Sequence, residues 1–433
     1  MNINTIVKQT TLLLILLSTS PIVKSQGFYK DIFMDGGIKL TSMTRLPAAD
    51  LLNLTIENFA SQRYTSTFPP TRIDSVRQNR LIIGTEDDLN GILLYPDGAP
   101  RFRMIFTNGG KASSHGGSLT AAGRDRYRLF VKNGGSYVGS CAGAYLSSAG
   151  TINADTVTMR ENYLGIWPGI TKGTLLNNSA TGLFIEKSSP LLRYSDFGGD
   201  LYIADVRHNG GCFAFDGTMF PENTEILLRY DYPAVKGKRD FHREINAWAY
   251  KESIITGRVV VTGSHPEAVT SGERLDLMAA LLSYGLDGNG IAKLKGELQN
   301  GKKREMHKGT ADNDPLYTMI GDRQYHHFMV KIPRDAENIS VQLEGANGYD
   351  LFLYMKKDDF AFRGEADFTD IATGSEKEFR FERLEEGEWY ISVECNTTVE
   401  TVKRDWGYEY TGKTDVLNGV PYNIQISWVN HGK

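Results

Sequence analysis

From residue 26 to about residue 290, short apolar runs alternate with segments of helical period. Ala48-Ala49-Asp50-Leu51-Leu52-Asn53-Leu54 follows Pro47, which suits a helix opened by proline in its first turn. Two apolar runs, 91–95 and 102–106, flank the turn-forming Pro96-Asp97-Gly98, the pattern of a hairpin. Between Arg124 and Val131 the residues Tyr127, Phe130 and Val131 fall on one helical face. Tyr137-Val138-Gly139 reads as a short buried strand, and Arg258-Val259-Val260-Val261-Thr262 as a β-branched central one. Leu275 to Tyr284 closes the region as an apolar helix. Strands interleaved with helices predict an α/β fold with a mostly parallel sheet and helices on both faces.

The pattern changes near residue 286. Asp287-Gly288-Asn289-Gly290 and Gly301-Lys302-Lys303-Arg304-Glu305 are polar and turn-rich, which predicts a linker over 291–315 after a first domain of 26–290. From 316 to 433 the period becomes two. Ile339, Val341 and Leu343 alternate with polar residues, as do Trp389, Ile391 and Val393, and then Tyr422, Ile424, Ile426 and Trp428. With turn clusters such as Glu385-Glu386-Gly387 between the runs, this predicts an antiparallel β-sandwich or jelly roll.

A formal net charge of −4 supplies no basic field for nucleic acid or an anionic membrane. Lys8, the apolar run Leu12 to Leu17 and the small-residue stretch before Gln26 read as a signal peptide over 1–25. The expected location is therefore outside the cytoplasm: periplasmic, cell-surface or secreted. That run is far short of the roughly 20 apolar residues that span a bilayer. Of the three cysteines, Cys141, Cys212 and Cys395, at least one lacks a partner in the chain. The last two sit in or beside apolar runs, and buried thiols are expected there.

Gly139-Ser140-Cys141-Ala142-Gly143 lies where a strand gives way to a helix, with a nucleophile between glycines two residues away on either side. The tight turn strains the backbone at the nucleophile and leaves no room for bulk at those flanking positions. A thiol at a helix start is also favoured as thiolate. His265-Pro266-Glu267 follows the β-branched strand. In extended geometry residues i and i+2 point the same way, so Glu267 can orient the imidazole of His265 towards Cys141. Acyl transfer needs oxyanion donors. Ala142 offers the amide after the nucleophile; Gly110, with Gly109 close behind, offers the second from Thr107-Asn108-Gly109-Gly110.

These pieces, with His208-Asn209-Gly210-Gly211, resemble the class I glutamine amidotransferase superfamily, and within it the amidotransferase-like domain at the N-terminus of some biotin–protein ligases. The resemblance covers roughly residues 28 to 285. It implies a flavodoxin-like fold and a Cys141–His265–Glu267 triad. It departs from true glutaminases at Tyr145, where they carry a glutamine that holds the substrate. The Gly-Ser-Cys-Ala-Gly-Ala string is also similar to the serine elbow of peptidase E and cyanophycinase relatives. Tyr349-Asp350-Leu351-Phe352-Leu353-Tyr354 and Gly387-Glu388-Trp389-Tyr390-Ile391-Ser392-Val393 resemble the bacterial pre-peptidase C-terminal domain, an accessory sandwich of exported hydrolases.

The function expected from the sequence is an exported cysteine hydrolase of peptide, isopeptide or amino-acid amides. The substrate is a small molecule or a peptide, and no cofactor or metal is expected. Two alternatives stand beside it: a non-catalytic surface, glycan or peptide-binding module on the same scaffold, and a glutaminase. The C-terminal domain is the expected contact with a cell surface or glycan. Asn108, Tyr145, His115, His208 and Asn209 are pocket candidates. His326 and His327 are adjacent on a predicted strand and point to opposite faces, so they do not share a metal. Asp350, Asp358 and Asp359 read as a solvated acidic loop, with calcium as the alternative.

Overall fold

The computed structural model describes residues 27–35, 46–58, 82–217, 219–233, 240–404 and 407–430. The leader expected at 1–25 lies outside the described residues. A 13-stranded sheet organises the N-terminal part. Five of its strands run parallel, in the spatial order Ile56–Asn58, Lys30–Asp35, Phe102–Thr107, Ser136–Ser140, Val259–Thr262. Beyond Val259–Thr262 the sheet continues through Ile245–Tyr250, Cys212–Ala214 and Ile170–Gly173, each antiparallel to the one before. The expected α/β class is present, with parallel order through the half that carries the candidate chemistry.

The described helices of this part are α1 (Pro47–Leu51), α2 (Ala112–Ser118), α3 (Thr120–Lys132), α4 (Ala142–Ser147) and α5 (Glu273–Leu286). Alternate strand residues feed two hydrophobic clusters. Ile32, Met34, Phe106, Val138 and Val260 pack with Ala48 and Ala49 of α1 and Leu277 and Leu281 of α5. Phe33, Ile105, Tyr137, Val259 and Val261 pack with Tyr127 and Phe130 of α3 and Ala144 and Leu146 of α4. Each buried Val, Leu, Ile, Phe or Met among them contributes about 1.5–3 kcal/mol, so strands with both sets of side chains buried read as unbroken apolar runs.

Two local expectations are corrected. Residues 91–95 do not form a hairpin with 102–106. They make a turn with one isolated bridge, Leu94 to Pro100, and Phe102–Thr107 instead joins the parallel core. The segment 291–315 is not a free linker. Leu294–Glu297 pairs parallel with Tyr325–Ile332, and Lys303–Met306 pairs antiparallel with Tyr422–Asn430. Both strands are short and polar; in the first, Lys295 is buried on Asp97 and on the carbonyl of Pro315.

The C-terminal part holds a five-stranded and a four-stranded sheet, mostly antiparallel, around Val330, Val341, Leu343, Ile391, Val393, Ile424 and Ile426. His326 meets the hydroxyl of Tyr422 at 2.8 Å and His327 that of Ser392 at 2.7 Å, so adjacent rings do serve opposite faces. Asp350 accepts the amide of Gly374, and Asp359 pairs with Lys356. The two parts meet through buried charge. Arg101 binds Asp322 at 2.9 Å and lies 3.6 Å from Asp88, whose carboxyl burial pushes up to about 7 against the pull of Arg101. No described helix is long and apolar enough to cross a membrane.

Candidate active site

The parallel strands end together: Thr107 is in register with Gly139, and Thr262 with Ser140. The residues that follow each of them therefore share one edge of the sheet, where ligands bind in open parallel sheets. Cys141 follows Ser140 at φ 49° and ψ −99°, a conformation that costs a non-glycine residue of order 1–3 kcal/mol. Neighbouring strands hold it there. Its amide donates to the carbonyl of Thr262 at 2.9 Å, and its carbonyl accepts from Tyr145 at 3.2 Å as α4 begins. The flanking glycines are needed for closeness: a Cβ on Gly143 would lie 2.2 Å from the carbonyl oxygen of Thr107.

The turn after Thr262 is tied down by Asn246, whose Oδ1 accepts from the hydroxyls of Thr262 and Ser264 at 2.9 and 3.4 Å. The His265 amide donates to the carbonyl of Arg207 at 2.9 Å. Its Nδ1 lies 2.8 Å from Oε1 of Glu267, which leaves Nε2 for the thiol of Cys141. Burial by itself would lower the pKa of this imidazole; interaction with Cys141, and then with Glu267, outweighs it and lifts the ring to about 10. Such a histidine carries its proton across neutral pH, beside a sulfur that is reactive as thiolate.

The glycine loop contributes something the sequence did not announce. Gly109 is the floor on which His265 rests: a Cβ there would sit 2.2 Å from Cε1 of the ring. Gly110 is exposed and has φ 145°, open to glycine and strained for other residues. Ala142 is buried at the first position of α4, where an amide has no acceptor within the helix.

The remaining candidates divide. Tyr145 spends its hydroxyl on the carbonyl of Gly211 at 3.0 Å, tying α4 to the glycine turn after His208. His208 is buried, bound to Thr181 at 2.8 Å, and pushed down to about 3 by burial and by the charge of His265. Asn209 is exposed and Asn108 buried. His115 is closed off on Asp35 at 2.8 Å. Asp35, Thr181, Arg207 and Asn246 were not singled out from the sequence. For Asp35 the signal was there: an acid closing the apolar run Ile32-Phe33-Met34. All three cysteines are free and buried, and burial pushes the thiols of Cys212 and Cys395 well up. Among the described residues no three His, Cys, Asp or Glu side chains gather as a metal site.

Residues 99–280 match the sequence family described as "Biotin-protein ligase, N terminal", a span that includes Cys141, His265, Glu267 and both glycine turns. An uncharacterized protein of Chlamydia muridarum (strain MoPn / Nigg) is 27% identical over 135 residues, 30% of this chain and 50% of that protein. The chain thus spans about half the length of the curated relative it matches. Among solved structures, the pre-peptidase C-terminal domain of a collagenase from Bacillus anthracis matches at 10% identity, covering 32% of this chain and 100% of that one, with a TM-score of 0.19. A putative GMP synthase component from Thermoplasma acidophilum matches at 12% identity, covering 60% and 94%, with a TM-score of 0.33. Over residues 99–280 this chain is similar to the amidotransferase-like N-terminal region of biotin–protein ligases.

Proposed function

We propose that this protein is an exported cysteine hydrolase of amide bonds, acting on a peptide, an isopeptide or an amino-acid amide. The observation that carries the reading is the strained Cys141 at a strand end, facing an imidazole that Glu267 holds at 2.8 Å. In this reading the Cys141 sulfur attacks the amide carbon and the carbonyl oxygen becomes an oxyanion. The amides of Ala142 and of Gly110 or Gly109 receive that charge. Protonated His265 gives its proton to the leaving nitrogen as the C–N bond breaks, leaving a thioester and a free amine. Neutral His265 then takes a proton from water, whose oxygen attacks the thioester; the C–S bond breaks, and the acid product departs as the thiolate–imidazolium pair is restored. Glu267 holds the ring and offsets its charge throughout.

Tyr145 supports a hydrolase over a glutaminase, because its hydroxyl is engaged by the Gly211 carbonyl in place of a substrate amide. Export rests on the leader-like residues 1–25. The β-sandwich, with a boundary near residue 290, serves as an accessory unit that contacts a cell surface or glycan. Electrophilic peptide and glutamine probes applied to the wild type and to Cys141→Ala test the reading. Labelling that is lost in the variant and turnover of at least one amide are expected. Labelling that persists in Cys141→Ala would assign the chemistry elsewhere.

A further inference from the structure

Asp35 ends the strand Lys30–Asp35 and is wholly buried. One of its oxygens, Oδ2, meets Oγ1 of Thr107 at 3.2 Å and Nε2 of His115 at 2.8 Å. Thr107 is the last residue before Asn108-Gly109-Gly110-Lys111, and His115 lies in α2, which begins directly after that loop. A single carboxylate oxygen therefore fastens both flanks of the loop that carries the candidate oxyanion amides and the floor under His265. Two adjacent glycines leave the backbone of this loop free to adopt several orientations, so contacts at its flanks can set which one it holds. Burying a carboxylate is costly unless it is well hydrogen-bonded, and apolar side chains could fill the same space at less cost. The catalytic steps above make no use of this group.

We infer that Asp35 is a positioning residue, which acts through Thr107 and His115 to aim the 108–111 loop at the oxygen of a substrate attacked by Cys141. This inference rests on the hydrolase reading. Two reactions of the same thiol in the full-length protein separate the two ideas. Alkylation by iodoacetamide displaces iodide and develops no oxyanion. Acylation by p-nitrophenyl acetate passes through a tetrahedral oxyanion and releases p-nitrophenolate as a burst.

Asp35→Asn and Thr107→Val should slow the burst by about tenfold or more, given that a lost oxyanion donor costs on the order of 10²–10³. Alkylation needs no oxyanion stabilisation and feels the loop only through the floor under His265, so it should slow clearly less than acylation does. His115→Gln keeps a donor near the place of Nε2 and should hold most of the acylation rate, whereas His115→Leu should not. Equal slowing of both reactions in Thr107→Val, or no slowing of acylation in any variant, overturns the positioning role. Wild-type protein that is alkylated but never acylated overturns the hydrolase reading itself, and the inference with it.

Discussion

Two histidine environments in this chain, one half-buried and one fully buried, have opposite electrostatics. At the sheet edge His265 faces a carboxylate and a thiol, and its proton is held up to about 10. In the β-sandwich His326 and His327 face the hydroxyls of Tyr422 and Ser392. Burial there drives His326 well below its ordinary range and His327 to about 3. Burial opposes the charge in both regions; direct contact with Cys141 and Glu267 reverses the outcome at His265, whereas in the sandwich the Lys295 cation adds to burial and Asp97, 3.9 Å from His326, does not offset it. Cys141 takes a conformation that costs a non-glycine residue and that neighbouring strands hold, whereas the sandwich core is built from alternating apolar residues. In the proposed reading the charged imidazole beside a strained cysteine serves chemistry, and the neutral one on a hydroxyl serves packing.

The hardest test of this contrast is loss of each histidine. His265→Ala should reduce turnover of any accepted amide on the order of 10³-fold, nearly as much as Cys141→Ala, while His327→Gln should leave turnover unchanged. Matched rates for His265→Ala and wild type would erase the distinction. Glu267→Gln should be milder than His265→Ala by one to two powers of ten, roughly, because the carboxylate orients the ring and moves no proton. Gly109→Ala should cost about 10²-fold without unfolding the protein, since a displaced imidazole misses the thiol. Iodoacetamide labelling of Cys141, with circular dichroism as the folding control, reads this directly.

Stability against pH gives a smaller and two-signed check. The folded state holds the His265 proton more tightly than the unfolded chain does. Its contribution is complete below about 6.5 and fades as pH rises through about 10. His327 behaves in the opposite sense: the unfolded chain takes a proton that the folded ring refuses, so stability drops as pH falls from 6.5 towards about 3. In thermal melts against wild type, the His265→Gln deficit should close as pH rises from 6.5 towards about 10, and His327→Gln should gain on wild type as pH falls from 6.5 towards about 3, each by roughly several degrees. Melts that track wild type at every pH would contradict both assignments. The smallest effect belongs to Tyr145→Phe. Loss of one hydrogen bond, worth about 1 kcal/mol, should lower turnover no more than about fivefold, and a larger loss would mean the hydroxyl touches substrate.

Much of the site was legible because its residues are local in sequence. The Gly139-to-Gly143 elbow is one continuous turn, and Glu267 stands two residues from His265, so spacing alone places them. The alternation at 339–343, 389–393 and 422–428 likewise announces strands, because the apolar residues of each line one buried face. The hairpin at 91–106 and the linker at 291–315 misled for a common reason. Turn chemistry and polarity report a segment's own preference, while the parallel core and the sandwich edges recruited these residues by pairing them with partners far along the chain.

The sequence by itself determined the α/β and all-β halves, the nucleophile elbow and the His-Pro-Glu pair, since each depends on periodicity or on residues within one turn. The tertiary structure decided that Thr262 would hold the amide of Cys141, that Gly109 would lie under the imidazole, and that Asp35 would fasten the loop between Thr107 and His115. Those contacts join residues some 70 to 160 positions apart. They exist because parallel strands bring their ends to one edge whatever the length of chain between them, and no local pattern carries that information.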